Sequence, residues 1–146
     1  MPFSTLLYIV HFIGMALSVG AATAKVWLVI RCRFDSTFIP AYIKVAPVLT
    51  RLIVVGMIPL TLTGIIWLVR GYDLFPQLIA KIILVGSIWV LGPIIDNVVE
   101  PKFRKLAPAM GETPSADFVH AQTLHLILEI VATLLFYIII VLWMLR

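Results

Sequence analysis

Charged residues divide the chain into four long apolar runs, about Leu6 to Ile30, Val45 to Val69, Phe75 to Val99 and Phe118 to Leu145. That division constrains the fold more than any other feature. A helix rises about 1.5 Å per residue, so roughly 20 apolar residues cross the hydrocarbon core of a bilayer, and each run is long enough. Backbone N–H and C=O groups find no water there, so each run has to bond internally as a helix. With 62% hydrophobic and 12% charged side chains in 146 residues, little chain remains for anything else, and a soluble globule is excluded. The expectation is an all-α, single-domain, up-down bundle of four transmembrane helices over residues 1–146.

The first run begins close to Met1 without a basic leader or an Ala-x-Ala site, so it reads as a retained helix and not a removable signal. Short connections are expected at Arg31 to Lys44, Arg70 to Leu74 and Glu100 to Asp117; the last carries Pro101, Pro108, Gly111 and Pro114 and reads as the longest loop. Basic residues resist translocation. An outside N-terminus puts Lys25, Arg31, Arg33, Lys44, Arg51, Lys102, Arg104 and Lys105 on the cytoplasmic side and leaves Arg70, Lys81 and Arg146 outside, which favours N-out and C-out. The net charge of +4 is then a topology signal and an attraction to anionic lipid, not a nucleic-acid footprint. Pro59 is expected to kink the second span, and Trp27, Trp67 and Trp143 to sit at interfaces. The single cysteine, Cys32, allows no internal disulfide and reads as a free thiol facing a reducing cytoplasm.

Ionisable groups in hydrocarbon cost about 2.5 to 3.5 kcal/mol each, so those inside the runs are the informative positions. His11, Ser18 and Lys25 recur every seven residues, with Gly14 and Ala21 or Ala22 between them, and form one stripe of the first helix. Small residues there admit a neighbouring helix or a flat cofactor. Lys81, Val85, Ile88, Gly92 and Asp96 share a face of the third helix; Gln122, His125 and Glu129 share one of the fourth, with His120 turned away near the boundary. Counting rise from each helix centre places His11 and Lys81 at one outer level, and His125, Asp96, Arg51 and Lys25 at an inner one. A bis-histidine heme joining His11 to His125 is therefore disfavoured.

Each position keeps two readings. His11 is either an axial ligand of a b-type heme or a histidine bonded to a neighbouring helix. Lys81 is an iron ligand, a propionate anchor or a proton handler, or else it snorkels to the headgroups. Arg51, Asp96 and Lys25 read as a structural salt-bridge set. Glu129 with His125 forms a proton relay or a lock between the last two helices.

These residues resemble the HemJ-type protoporphyrinogen IX oxidases and the related small CopD-like four-helix membrane proteins. YIVHFIGMALSVGA is similar to the family's first helix, whose essential histidine corresponds to His11. TRLIVVGMIPLTLTGIIWLV resembles its second, with Arg51, Pro59, Thr61 and Gly64 in place, and LIAKIILV resembles the start of its third, whose essential lysine corresponds to Lys81. In the fourth helix His125 stands where the family has arginine, four residues before Glu129; the first-helix tryptophan and Pro-Arg pair, the third-helix histidine and the proline after the glutamate are absent.

The resemblance implies a membrane oxidoreductase of the bacterial inner membrane that holds heme b and passes electrons from protoporphyrinogen IX to quinone. His11 would be the metal ligand, Gly14, Ser18, Lys81 and Arg51 would line the cofactor, and Lys81, Glu129 and His125 would be catalytic. Its partners would be lipid, a quinone or respiratory-chain component, the porphyrinogen, and a second copy of the chain. The alternatives are a heme protein that only relays electrons, and a cofactor-free transporter or assembly subunit.

Overall fold

A computed structural model describes residues 2–71, 74–109 and 111–145. Arg146, counted above among the outside charges, lies outside the described residues. Every regular element described is helical: α1 (Phe3–Phe34), a 3₁₀ turn (Ser36–Phe38), α2 (Ile39–Val69), α3 (Pro76–Ile94), a π-helical turn (Ile95–Val99), α4 (Glu100–Leu106) and α5 (Ala116–Met144). Four stretches are long and apolar enough to cross a membrane, Phe3–Phe34, Ser36–Val69, Pro76–Leu106 and Ala116–Met144. Large apolar side chains such as Ile13, Val55, Ile83, Val90 and Leu134 point outward, as they do where lipid is the solvent. The chain is a multi-pass membrane protein by these features.

Two boundaries differ from the expectation. The second helix starts at Ile39 and not near Val45, because Asp35 accepts from the Thr37 backbone N–H at 3.0 Å and Pro40 occupies the first turn, where a missing N–H costs nothing. The expected loop from Glu100 to Asp117 is helical through Leu106, and α5 starts at Ala116. Pro93 and Pro101 lack donors for the carbonyls four residues before them, at Trp89 and Asn97, and the chain answers with one wide π turn between them instead of a break. Ser115 then accepts from the Phe118 N–H at 3.1 Å and starts α5.

α1 is the hub. A Cβ added to Gly14 would lie 2.6 Å from the Gly56 carbonyl oxygen, so α1 and α2 touch backbone to backbone here, and Ser18 also bonds the Ile53 carbonyl at 3.3 Å. α1 meets α5 through Phe12 and Trp143 (6.1 Å between ring centroids), Thr23 and Tyr137 (2.9 Å), and Arg33 and Thr123 (2.5 Å). α3 packs on α5 beside an open groove of about 700 Å³ lined by Gly86, Val90, Ile94 and Leu135 among others.

Candidate functional site

Lys25 is almost fully buried near the end of α1 that faces α4, and its ammonium draws every helical layer together. Nζ lies 2.8 Å from Glu129 Oε1 of α5, 3.0 Å from Glu100 Oε2 of α4 and 3.0 Å from Asp96 Oδ1 of the π turn. It also donates to Thr50 Oγ1 of α2 at 2.9 Å, and that hydroxyl donates onward to Asp96 Oδ1 at 3.1 Å. The π turn and α4 matter because they bring Asp96 and Glu100 to the same ammonium. Arg104, one turn beyond Glu100, holds Glu100 Oε1 from the partly exposed side. An unpaired charge at this depth would cost several kcal/mol, so each group is held in place by the others.

His125 completes the cluster. Its Nε2 lies 3.2 Å from Glu129 Oε1 and 3.2 Å from the Tyr42 hydroxyl. Tyr42 and Phe103 close around the imidazole with ring centroids at 5.7 and 5.3 Å, and Phe118 packs on Phe103 at 5.2 Å. This aromatic layer, with Val29, Cys32, Ile39 and Ala46, seals the cluster at the α4 end. Glu100, His125 and Glu129 each offer a donor atom, all within 4.8 Å of one another, a mixed oxygen and nitrogen set that a transition-metal ion could use. Both carboxylates of that set are already answered by the Lys25 ammonium.

His11 stands apart, about 21 Å along α1 from Lys25 by helical rise. Its Nδ1 lies 2.7 Å from Thr63 Oγ1 of α2. The Thr63 hydroxyl has one hydrogen and faces the Pro59 carbonyl at 2.7 Å and the Leu60 carbonyl at 3.0 Å, so it gives that hydrogen to the backbone and accepts from Nδ1–H. In this arrangement the proton sits on Nδ1 and Nε2 carries the lone pair, with the Leu60 backbone also against the ring. Trp67 packs on the His11 ring at 4.8 Å and Tyr8 on Trp67 at 4.9 Å. Lys81, half-buried on α3, is close enough for its charge to act on His11.

The expected groups thus separate into two places. Lys25, Asp96, His125 and Glu129 come together, with Gln122 beside them bonding the Cys32 carbonyl at 3.1 Å. Arg51 does not join: it is exposed on α2 and takes part in none of the cluster's ion pairs. Cys32 is buried, not facing solvent, because Ile39, Tyr42 and Phe118 cover it. Gly14 and Ser18 are covered by the α2 backbone. His120 is exposed. Trp67, expected as an interfacial anchor, packs on His11 near the end of α2.

Sequence reasoning missed Glu100, Thr50, Tyr42, Arg104 and Thr63. Glu100 and Arg104 carried a signal, an i,i+4 acid–base pair on a helical face, that was hidden by reading the segment as loop. Comparison of this chain with protein-family models, with curated proteins and with solved structures finds no match.

Proposed function

We propose that the chain is a four-span, up-down bundle of the bacterial inner membrane, with both termini outside, acting as a heme b-binding oxidoreductase similar to the HemJ-type enzymes. In this reading it oxidises protoporphyrinogen IX and passes the electrons to quinone. The observation that carries it is the His11–Thr63 pair: a histidine whose Nδ1–H is spent on a fixed acceptor presents its Nε2 lone pair as metal-ligating histidines do. His11 would be the residue that holds the heme iron. The Gly14–Ser18 stripe does not fit a porphyrin face, because the α2 backbone occupies it. When bound, the heme would supply one-electron redox chemistry.

The chain's own residues have separate tasks in this reading. Thr63 fixes the tautomer of His11, and Trp67 fixes its ring plane. Lys81 brings a positive charge to the same level, suited to an anionic propionate. Glu129 and His125, on the side rich in Lys102, Arg104 and Lys105, would handle protons.

The test is the absorption spectrum of detergent-purified protein expressed with heme supplied. A Soret band present in the wild type and lost in His11→Ala is expected, with Lys81→Ala weakening retention. Heme without oxidation of protoporphyrinogen would reduce the reading to electron relay. A colourless wild type would overturn it. The second reading would then stand: a cofactor-free transport or assembly subunit, favoured by the buried charge cluster, which needs no cofactor to hold four helices together.

A further inference from the structure

The charge count of the Lys25 cluster does not close. Asp96, Glu100 and Glu129 bring three carboxylates, while Lys25 and Arg104 bring two fixed cations. With His125 neutral, one negative charge is left over. Counting only the three most buried charges gives the same remainder, since Lys25 faces both Glu100 and Glu129, while Asp96 and Arg104 at the partly exposed rim cancel. Behind the aromatic layer of Tyr42, Phe103 and Phe118, an uncompensated charge costs several kcal/mol.

The hydrogen bonds fall short in the same place. An ammonium has three N–H groups, and Lys25 has four oxygens around it, so one acceptor must always go without. That oxygen is Glu100 Oε2, which is buried and receives no hydrogen bond although Nζ is 3.0 Å away. His125 Nδ1 is also buried without a partner, on a ring whose other nitrogen faces Glu129. Two buried atoms that can take a proton therefore lie in a cluster that lacks one positive charge.

We infer that Glu100, His125 and Glu129 together bind one exchangeable proton, held at the α4 end of the bundle. The proton belongs to the group and not to one atom, because donor atoms of all three lie within 4.8 Å of one another and so titrate as a coupled set. Every neighbouring element contributes to the balance: Lys25 and Cys32 from α1, Tyr42 from α2, Asp96 from the π turn, Arg104 from α4. A divalent ion suits the site less well than a proton. With Lys25 and Arg104 in place it would turn the leftover negative charge into a positive one, and it would have to displace the ammonium from both glutamates. The inference does not rest on heme at His11 and survives its failure.

The experiment is pH-difference infrared spectroscopy on the full chain in lipid nanodiscs, in H₂O and D₂O, alongside proton-uptake titration. About one proton per chain should bind in this group, with a carboxylic-acid or imidazolium band that shifts in D₂O. Glu100→Gln, and separately Glu129→Gln, each neutralise the cluster without a proton and should lower uptake from about one to about none. His125→Asn removes the imidazolium band if the ring is the seat and leaves the carboxylic-acid band if it is not; either result supports the inference. Should the glutamine variants not fold, the wild-type bands with His125→Asn decide. No such band at any pH where the protein is folded, or bands unchanged in all three variants, overturns the inference.

Discussion

The two ends of the bundle solve the same problem differently. At the α4 end, polar side chains from α1, α2, the π turn, α4 and α5 meet around one ammonium and are shut in by aromatic rings. At the His11 end, one histidine is held by Thr63 and the Leu60 backbone and backed by Trp67, all from α2. A group gripped from several elements is a determinant of the fold; a group gripped from one leaves a valence to spend. The first kind of site should therefore respond to substitution in stability, the second in spectrum or ligand binding.

The largest effect tests the gripped end. Lys25→Met should destabilise the protein by about 3–5 kcal/mol, since it leaves buried carboxylates without their counter-charge. Cys32, the single and buried cysteine, offers the readout: a thiol-reactive fluorophore labels it only on unfolding, so the labelling midpoint on heating reports stability. Adding Glu129→Gln to Lys25→Met should recover part of the loss, because the two residues answer each other. If Lys25→Met labels like the wild type, the contrast between the ends is wrong. Gly14→Ala comes next, at about 1–3 kcal/mol, because its new Cβ meets α2 backbone and the helices must part. Gly20→Ala, on the same helix with open space around it, is the control and should cost nothing.

How much of this was legible follows from which signals are local. Four spans could be read from apolar length alone, and the Lys25–Asp96 and His125–Glu129 pairs from depth and from i,i+4 spacing. The segment after Val99 could not, because charges and a proline in EPKFRK look like a loop when nothing shows that Glu100 turns inward. A π turn has no residue signature of its own, yet it is what carries Asp96 and Glu100 to one ammonium. Arg51 was misplaced for the opposite reason: its depth matched the cluster, but its helical face did not. Thr50, Tyr42 and Thr63 are unremarkable in an apolar run until a partner helix supplies the other atom.

The His11 end should give a smaller stability effect. Thr63→Val keeps the shape of the side chain but removes the acceptor for His11 Nδ1–H, at about 1 kcal/mol by the same labelling assay. The ring is then free to change tautomer, so nuclear magnetic resonance of the ¹⁵N-labelled imidazole should show the proton leaving Nδ1 for a mixture of both nitrogens. An unchanged Nδ1–H signal would mean that Thr63 does not hold the tautomer.

The smallest effect lies outside both ends, at the turn joining α1 to α2. Asp35 accepts from the Thr37 hydroxyl at 2.6 Å and from the Thr37 N–H at 3.0 Å, and these bonds, with Arg31 nearby, hold its carboxyl below the usual carboxylate range. A group whose folded value is depressed adds stability above its unfolded value and loses it as the pH falls through the folded one. Wild type should therefore exceed Asp35→Asn in labelling midpoint at neutral pH, by a small margin because the carboxyl is exposed to water. The two curves should converge on acidification. A gap that stays constant down to the acid limit of the folded protein would show that the charge of Asp35 plays no part, and that the turn is set by Pro40 and the packing of Ile39 alone.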